Sequence, residues 1–474
     1  MAQTQGSPEA GLDQMPYARH ILERQPKQVR TSYGTRFRSY TSARNGASNM
    51  SASAPQLTQL TIREVFKLKP VRRLWAAQVV SVFGDFLAIF AVISYVSFNL
   101  HASAGQVTLI TVSFMIPFAI VGPVAGVFVD RWNVKRTMIA SDLIRGVLCL
   151  ALVFAGNVWQ IYAILFLLST VSTFFVPAQS VTLRTIVPKE GLLAANALVQ
   201  QAFQVMRIIS PALAGAIVGG FGASSCYYLD SITFAFSASM IATLVIAREP
   251  VVPSKDSHPV KVVLDDLFAG VKFIFTHPTI SFVILAMAAG MFAVSCFGPL
   301  IAVYVRDELQ ATVLAFGIIN SMIGVGMIVG TLAISRFAKE VSKTHLALWG
   351  LFTMGSFVVV LAAFKTIAAA SVGMLGLGIG VIFVIVAAQT LMQGLTPIEM
   401  IGRVSASFMA VLSIAQLVGL VISGSLAQTL GIRNLFFASA ALLFVITVFG
   451  YFRLPQQAPA STTSTPTPQE QPAE

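Results

Sequence analysis

The chain has 474 residues, of which 56% are hydrophobic and only 11% charged, against roughly 25% charged in an ordinary soluble domain. Such an excess of apolar side chains excludes a soluble globular protein. A single core cannot absorb it, whereas each helix that crosses a bilayer uses about 20 of them. The net charge of +12 would suit nucleic acid, but the basic residues sit in a tail and in short connections between apolar runs, so no nucleic-acid partner is expected. Cys149, Cys226 and Cys296 lie far apart within apolar stretches, a spacing that fits neither disulfides nor zinc. No metal or cofactor is expected.

Residues 1 to about 60 are polar, poor in aliphatics and scattered with Arg, the composition of a disordered basic tail. They hold no apolar run of the kind a secretory signal needs, and Met50 offers a second possible start. A basic stretch from Arg63 to Arg73 then leads into the first of twelve apolar segments. By hydropathy these cover about 74–99, 105–129, 137–156, 158–179, 192–219, 225–247, 279–304, 313–335, 345–364, 367–394, 404–428 and 433–452. Pro123, Pro177, Pro211 and Pro299 interrupt several of them, which bundled membrane helices tolerate. Between the sixth and seventh, the stretch from Val262 to Ile274 has helical periodicity with a polar edge at Asp265, Asp266 and Lys272, the pattern of an interfacial amphipathic helix. A Pro/Thr/Gln-rich tail closes the chain.

The expected organisation is therefore all-α and integral to the membrane. It comprises a disordered basic tail (1–73), a six-helix bundle (74–247), a linker with the amphipathic helix (248–278), a second six-helix bundle (279–453) and a disordered tail (454–474). With the N-terminus in the cytoplasm, 26 of the 31 Lys and Arg fall on the cytoplasmic side, two in spans (Arg145 and Arg207) and three outside (Arg306, Lys365 and Arg433). Discounting the 12 in the N-terminal segment leaves 14 against 3, which predicts both termini inside. The halves also match each other. Gly84-Asp-Phe-Leu-Ala resembles Gly290-Met-Phe-Ala-Val, the segment from Gly126 to Arg131 resembles that from Gly330 to Arg336, and Pro188-Lys-Glu190 resembles Pro397-Ile-Glu399. Duplication of this sort builds secondary transporters with a midplane site between the halves.

After the second segment the chain reads Gly126-Val-Phe-Val-Asp130-Arg131-Trp-Asn133-Val-Lys135-Arg136, which resembles the G-x-x-x-D-R-x-G loop and basic cluster of the major facilitator superfamily. The resemblance implies a cytoplasmic gate in which Gly126 allows close helix approach and Asp130, Arg131, Lys135 and Arg136 form breakable charge contacts. Asn133 stands for the second glycine, a residue that tolerates the left-handed conformation. In the second half Ile334 and Ser335 replace the acidic corner. Pro177-Ala-Gln179, Val187-Pro-Lys-Glu190, Ala195-Asn196-Ala197 and the run from Arg207 through Ser210-Pro211 to Gly215 resemble the macrolide-efflux and enterobactin-exporter branch. Ser210, Pro211 and Gly215 also resemble the helix-packing motif of the exporters' fifth helix. The resemblance spans about residues 70–450.

Ionisable residues inside spans are the primary site candidates, since each costs about 2.5–3.5 kcal/mol at a helix centre. Asp85 is the expected proton carrier, and Arg207 is expected to partner it, to contact a substrate anion or to brace the helix bundle. Asp142 and Arg145, at i and i+3, are expected to form a structural ion pair, and Asp230 to cap or belt the outer interface. Gln179, Asn196, Gln200, Gln204 and Gln389 are possible cavity-lining groups. No ATP-binding GxxxxGK[ST], HExxH or GxSxG occurs, so neither ATP-driven transport nor membrane hydrolysis is expected. The resemblance implies a non-enzymatic, monomeric exporter of hydrophobic small molecules (drug, macrolide or siderophore), driven by protons in the plasma membrane. A lipid or lysophospholipid transporter, or a non-transporting scaffold or sensor, is the alternative.

Overall fold

The computed structural model describes residues 60–246, 268–269, 271–272, 274–276, 278–337, 342–396 and 400–453. The expected tails up to 59 and beyond 453, and the interfacial helix up to residue 267, lie outside them. Regular structure among the described residues is entirely helical. In chain order the helices are α1 (Ile62–Lys67), α2 (Lys69–Ser94, prolonged by a wider turn over Tyr95–Asn99), α3 (Ala104–Ile120), α4 (Gly122–Arg131), α5 (Val134–Val153), α6 (Val158–Ile186), α7 (Leu192–Phe221) and α8 (Ala223–Ala242). The second half contributes α9 (Pro278–Phe297), α10 (Leu300–Asp307), α11 (Val313–Phe337), α12 (Lys343–Ala363), α13 (Ile367–Leu395), α14 (Ile401–Leu430) and α15 (Ile432–Arg453).

The local causes are visible in the sequence. Thr61 and Glu64 form a reciprocal capping box that starts α1, and Pro70 sits in the first turn of α2. The expected disordered tail ending at residue 73 is therefore corrected: helix begins at Ile62. Pro123 and Pro299 each divide a span, separating α3 from α4 and α9 from α10. Pro117, Pro177 and Pro211 are carried inside α3, α6 and α7. Among the described residues nine helices are long and apolar enough to cross a membrane. Besides the short α1 and α4, the helices that fall short are α3, only 17 residues long, α5, which carries Lys135, Arg136, Asp142 and Arg145, and α8, rich in Ser and Thr around Asp230. The last two hold the polar site. Phe154, Trp159, Phe221 and Val245 stand on the outer surface, 75–89% exposed, a bearable arrangement only against lipid.

The duplication is stricter than sequence matching suggests. Helices α2, α3, α5, α6, α7 and α8 start 209 residues before α9, α11, α12, α13, α14 and α15, respectively. Gly222 and Gly431, 209 apart, turn α7 into α8 and α14 into α15 with φ of +83° and +81°, a conformation that suits glycine. His101 and Gln310, again 209 apart, share a positive φ. This register corrects two of the sequence matches: Gly84 corresponds to Ala293 and Gly126 to Ser335, while Pro188 keeps Pro397. By the same offset Ile334 and Ser335 answer to Ala125 and Gly126, not to Asp130.

The two halves meet along two seams related by this repeat. In one, α7 packs on α11; a Cβ added to Gly317 would lie 2.6 Å from the Pro211 carbonyl and 3.0 Å from Gly215 Cα. In the other, α14 packs on α3, and a Cβ on Gly424, the repeat counterpart of Gly215, would lie 2.8 Å from Gly105 Cα. Phe90 and Phe316 stack across the halves with centroids 4.5 Å apart. Nearby, Arg306 Nη1 donates to the carbonyls of Ser97 (2.5 Å) and Ala102 (3.0 Å), and Gln428 donates to Ser103 Oγ at 3.0 Å. All of these lie at the end of the molecule remote from Lys69, where one buried core runs continuously through both halves. At the Lys69 end a separate buried cluster holds residues of the first half alone.

Candidate functional site

Helix α8 packs against both α2 and α5 in the first half, and each of the three turns a stripe of small or polar residues inward. On α5 the stripe is Asp142, Arg145 and Cys149; on α8 it is Asp230, Thr233 and Ser237, all buried. On α2 it is Ser81 and Gly84, with Asp85 beside them. Positions i, i+3 and i+7 share a helix face, so three such stripes bring their polar groups to one point.

At that point Arg145 is the hub. Its Nη2 contacts Asp142 Oδ1 one turn away, and its Nη1 lies 3.7 Å from Asp85 Oδ2. The guanidinium is sandwiched between the rings of Phe175 and Phe234, with centroids 4.6 and 4.3 Å from Cζ, a double cation–π clamp that fixes its position. Asp142 is fully buried and Arg145 is 4% exposed, but Asp85 keeps 34% of its side chain accessible. Asp230 is 1% exposed. Its Oδ2 faces Cys149 Sγ at 3.0 Å and its Oδ1 accepts from Thr233 Oγ1 at 3.1 Å. It reaches the cluster over Gly84, where an added Cβ would overlap Asp230 and Thr233.

One guanidinium thus serves three carboxyl groups in an apolar interior. Ionised and unpaired, a buried carboxylate is too costly to sustain. Charge balance leaves two of the three groups to be neutralised by protons or by an incoming cation.

The cluster forms the floor of a cavity of about 480 Å³, within the range of small-molecule sites. Its wall is largely apolar, with Phe86, Phe114, Phe118, Phe175 and Phe203 prominent, and Gln78, Ser81, Ser172, Gln179 and Gln200 supply scattered polar groups. Every lining residue comes from the first half, so this cavity is not the expected site shared between the halves. Gln179 and Gln200 line it. Asn196 is exposed and donates to Leu192 O within α7; Gln204 and Gln389 lie outside its wall.

The other candidates fall elsewhere. Arg207 is not the partner of Asp85; Arg145, from the neighbouring helix, occupies that place. Asp230 is not an interface belt residue but a buried member of the cluster. In the gate motif a Cβ on Gly126 would meet nothing within 4 Å, so no helix makes a close approach there. Asp130 lies on α4, Arg131 and Arg136 are exposed, and Asn133 has extended backbone (φ −74°). Its side chain caps α5 by accepting from Arg136 N at 3.1 Å, so the left-handed turn expected for it is absent. Lys135 donates to Leu244 O at 2.7 Å and Arg73 to Thr243 O at 3.2 Å, so both cations sit at the C-terminal end of α8, where the helix dipole favours positive charge. Gly215 lies in the α7–α11 seam, next to Pro211, and Ser210 is buried beside it. Asp230 and Cys149 are the site residues the linear sequence hides; the buried polar stripe on α8 was the signal available.

The duplicated helical bundle has the major facilitator fold. The fold is shared with the nucleoside transporter NupG (TM-score 0.67, 12% identity, covering 81% of this chain and 99% of that one). The chain belongs to the transmembrane secretion effector family, whose sequence pattern matches residues 64–473. It is 25% identical over 389 residues to the uncharacterized MFS-type transporter YfiS of Bacillus subtilis, covering 80% of this chain and 91% of that protein. It is 23% identical over 386 residues to macrolide efflux protein A of Streptococcus pyogenes, covering 79% and 93%. It is thus a multi-pass plasma-membrane transporter of the macrolide-efflux branch, not an enzyme.

Proposed function

We propose that the protein exports hydrophobic small molecules in exchange for protons, with the first-half cavity as substrate site and Asp85 as its proton carrier. The observation that carries this reading is the cavity itself, an aromatic chamber whose floor is a guanidinium shared among acids, one of them exposed. An apolar substrate bearing a positive charge would be attracted by the wall through apolar contact and by the floor through charge. It and a proton compete for the same carboxylate, which is the minimum an exchanger needs. The macrolide efflux protein among the relatives supports a lipophilic substrate of this kind.

Alternating access follows as two six-helix halves, about 74–247 and 279–453, rocking about the seams. The contacts gathered at the Arg306 end, together with a charge asymmetry that predicts Lys69 and both termini on the cytoplasmic side, support an inward-facing arrangement. The test is erythromycin transport in everted vesicles carrying a pH-sensitive dye. Wild-type protein is expected to release protons from the lumen as erythromycin enters, and Asp85→Asn to lose that coupling. Full proton-coupled uptake by Asp85→Asn would refute the assignment.

A further inference from the structure

The mechanism above uses one acid, yet the cavity floor holds a second whose charge no cation meets directly. Arg145 lies between Asp142, in direct contact, and Asp85 at 3.7 Å. Asp230 has only a thiol and a hydroxyl as hydrogen-bond partners, although it lines the same cavity. The groups acting on it come from every side: Asp85 on α2, and Arg145 and Cys149 on α5. Asp142 stands behind Arg145, Cys226 and Tyr227 lie one turn away on α8, and Arg207 on the neighbouring α7 is not among its charge partners. Among the described residues, Asp142 Oδ2 and Arg145 Nε are buried without a well-formed hydrogen bond, Ser237 being the hydroxyl beside Asp142. The duplication supplies an internal comparison. The positions equivalent to Asp85, Asp142, Arg145 and Asp230 in the second half are Val294, Leu351, Met354 and Ser439. The fold therefore does not need an acid at either Asp position.

We propose that Asp230 is a second proton-exchanging group of this site, passing its proton to Asp85 across the notch left by Gly84. The inference rests on the proton-exchange reading for Asp85. When a cation leaves the cavity, one proton enters by way of Asp85, so that Asp85 and Asp230 are both protonated and the cluster, with Asp142 paired to Arg145, is neutral. When a cation binds, Asp85 releases its proton to the cavity and is recharged from Asp230. The carboxylate left on Asp230 then balances the bound charge with Arg145 between them. One proton passes from Asp85 to water in the cavity and one from Asp230 to Asp85, and no other bond breaks.

The experiment is pH-difference infrared spectroscopy on the full-length protein in lipid nanodiscs, following the C=O stretch of protonated carboxyl groups without any substrate. Wild-type protein should show two titrating bands, Asp85→Asn one, and Asp230→Asn the other. Titrating bands identical in Asp230→Asn and wild type would overturn the proposal. Should that variant fail to fold, Cys149→Ala, which removes only the thiol partner, must shift one titrating band and leave the other; no shift overturns it equally. Vesicle transport separates the two readings. An Asp230 band that titrates in a protein releasing no protons with erythromycin would sink coupled export and leave Asp230 a proton site.

Discussion

The α7–α11 seam offers a test of the rocking motion in which one methyl group does the work. In Gly317→Ala the new Cβ would lie 2.6 Å from the Pro211 carbonyl oxygen and 3.0 Å from Gly215 Cα. Both obstacles are backbone, so no rotamer change relieves them, and the helices must part. Overpacking of this sort costs about 1–3 kcal/mol. The cost falls only on the state in which the seam is closed, so it shifts the equilibrium between the two states by roughly 5- to 150-fold. Spin labels at Gly156→Cys and Lys365→Cys, equivalent positions of the two halves at the Arg306 end, would read the change as a distance distribution in a background lacking the native cysteines. Lys365 pairs with Glu308 at 2.7 Å on the surface, a contact of little energetic weight. The expected result is a longer-distance population that grows in Gly317→Ala. An unchanged distribution would mean that this seam does not separate during the cycle, and the rocking would have to pivot elsewhere.

Three further outcomes are expected. Arg145→Met leaves Asp142 buried without its cation and should lower stability by about 3–5 kcal/mol; the double variant with Asp142→Leu should recover most of that in thermal unfolding of detergent-solubilised protein, and equal losses would refute the pairing. Gly84→Ala drives a methyl group into Asp230 and Thr233, so it should cost about 1–3 kcal/mol, relieved when Asp230→Ala is added; additive losses would show that the notch is not filled by Asp230. At the start of the fold, hydrogen bonds from the Thr61 backbone and hydroxyl hold the Glu64 carboxyl below its ordinary value of 4.5. Its contribution to α1 is therefore complete above that value and lost as pH falls through the lower folded one. Amide exchange in α1 should accelerate on acidification in wild type and show a weaker pH dependence in Thr61→Ala.

Much of the architecture was legible because a bilayer imposes a simple rule on sequence. An apolar run of about 20 residues has few alternatives to a spanning helix, and the twelve segments follow from that rule. Local chemistry is likewise set along the chain. The Thr61–Glu64 box, the breaks at Pro123 and Pro299 and the turns at Gly222 and Gly431 depend on neighbours in the chain. Arg145 and Asp142 are one turn apart, so their contact required no knowledge of other helices.

Only the tertiary structure could decide which helices share their polar faces. Asp85 stands 60 residues from Arg145 and 145 from Asp230, and nothing in a linear pattern distinguishes Arg145 from Arg207 as its partner. Hydropathy marked both α5 and α8 as spans without revealing the site, although they are the more polar helices of the bundle. Their polar stripes are bearable because each is covered by the other and by α2, so the cost of burying Asp142, Arg145 and Asp230 is offset between helices rather than within one. The packing likewise set the register of the repeat at 209, because paired elements must superimpose as bodies while isolated glycines match by chance. Sequence composition thus determined that this chain is a bundle of membrane helices and, through Gly126 to Arg136, what it resembles. Side-chain packing among α2, α5 and α8 determined where its charges meet.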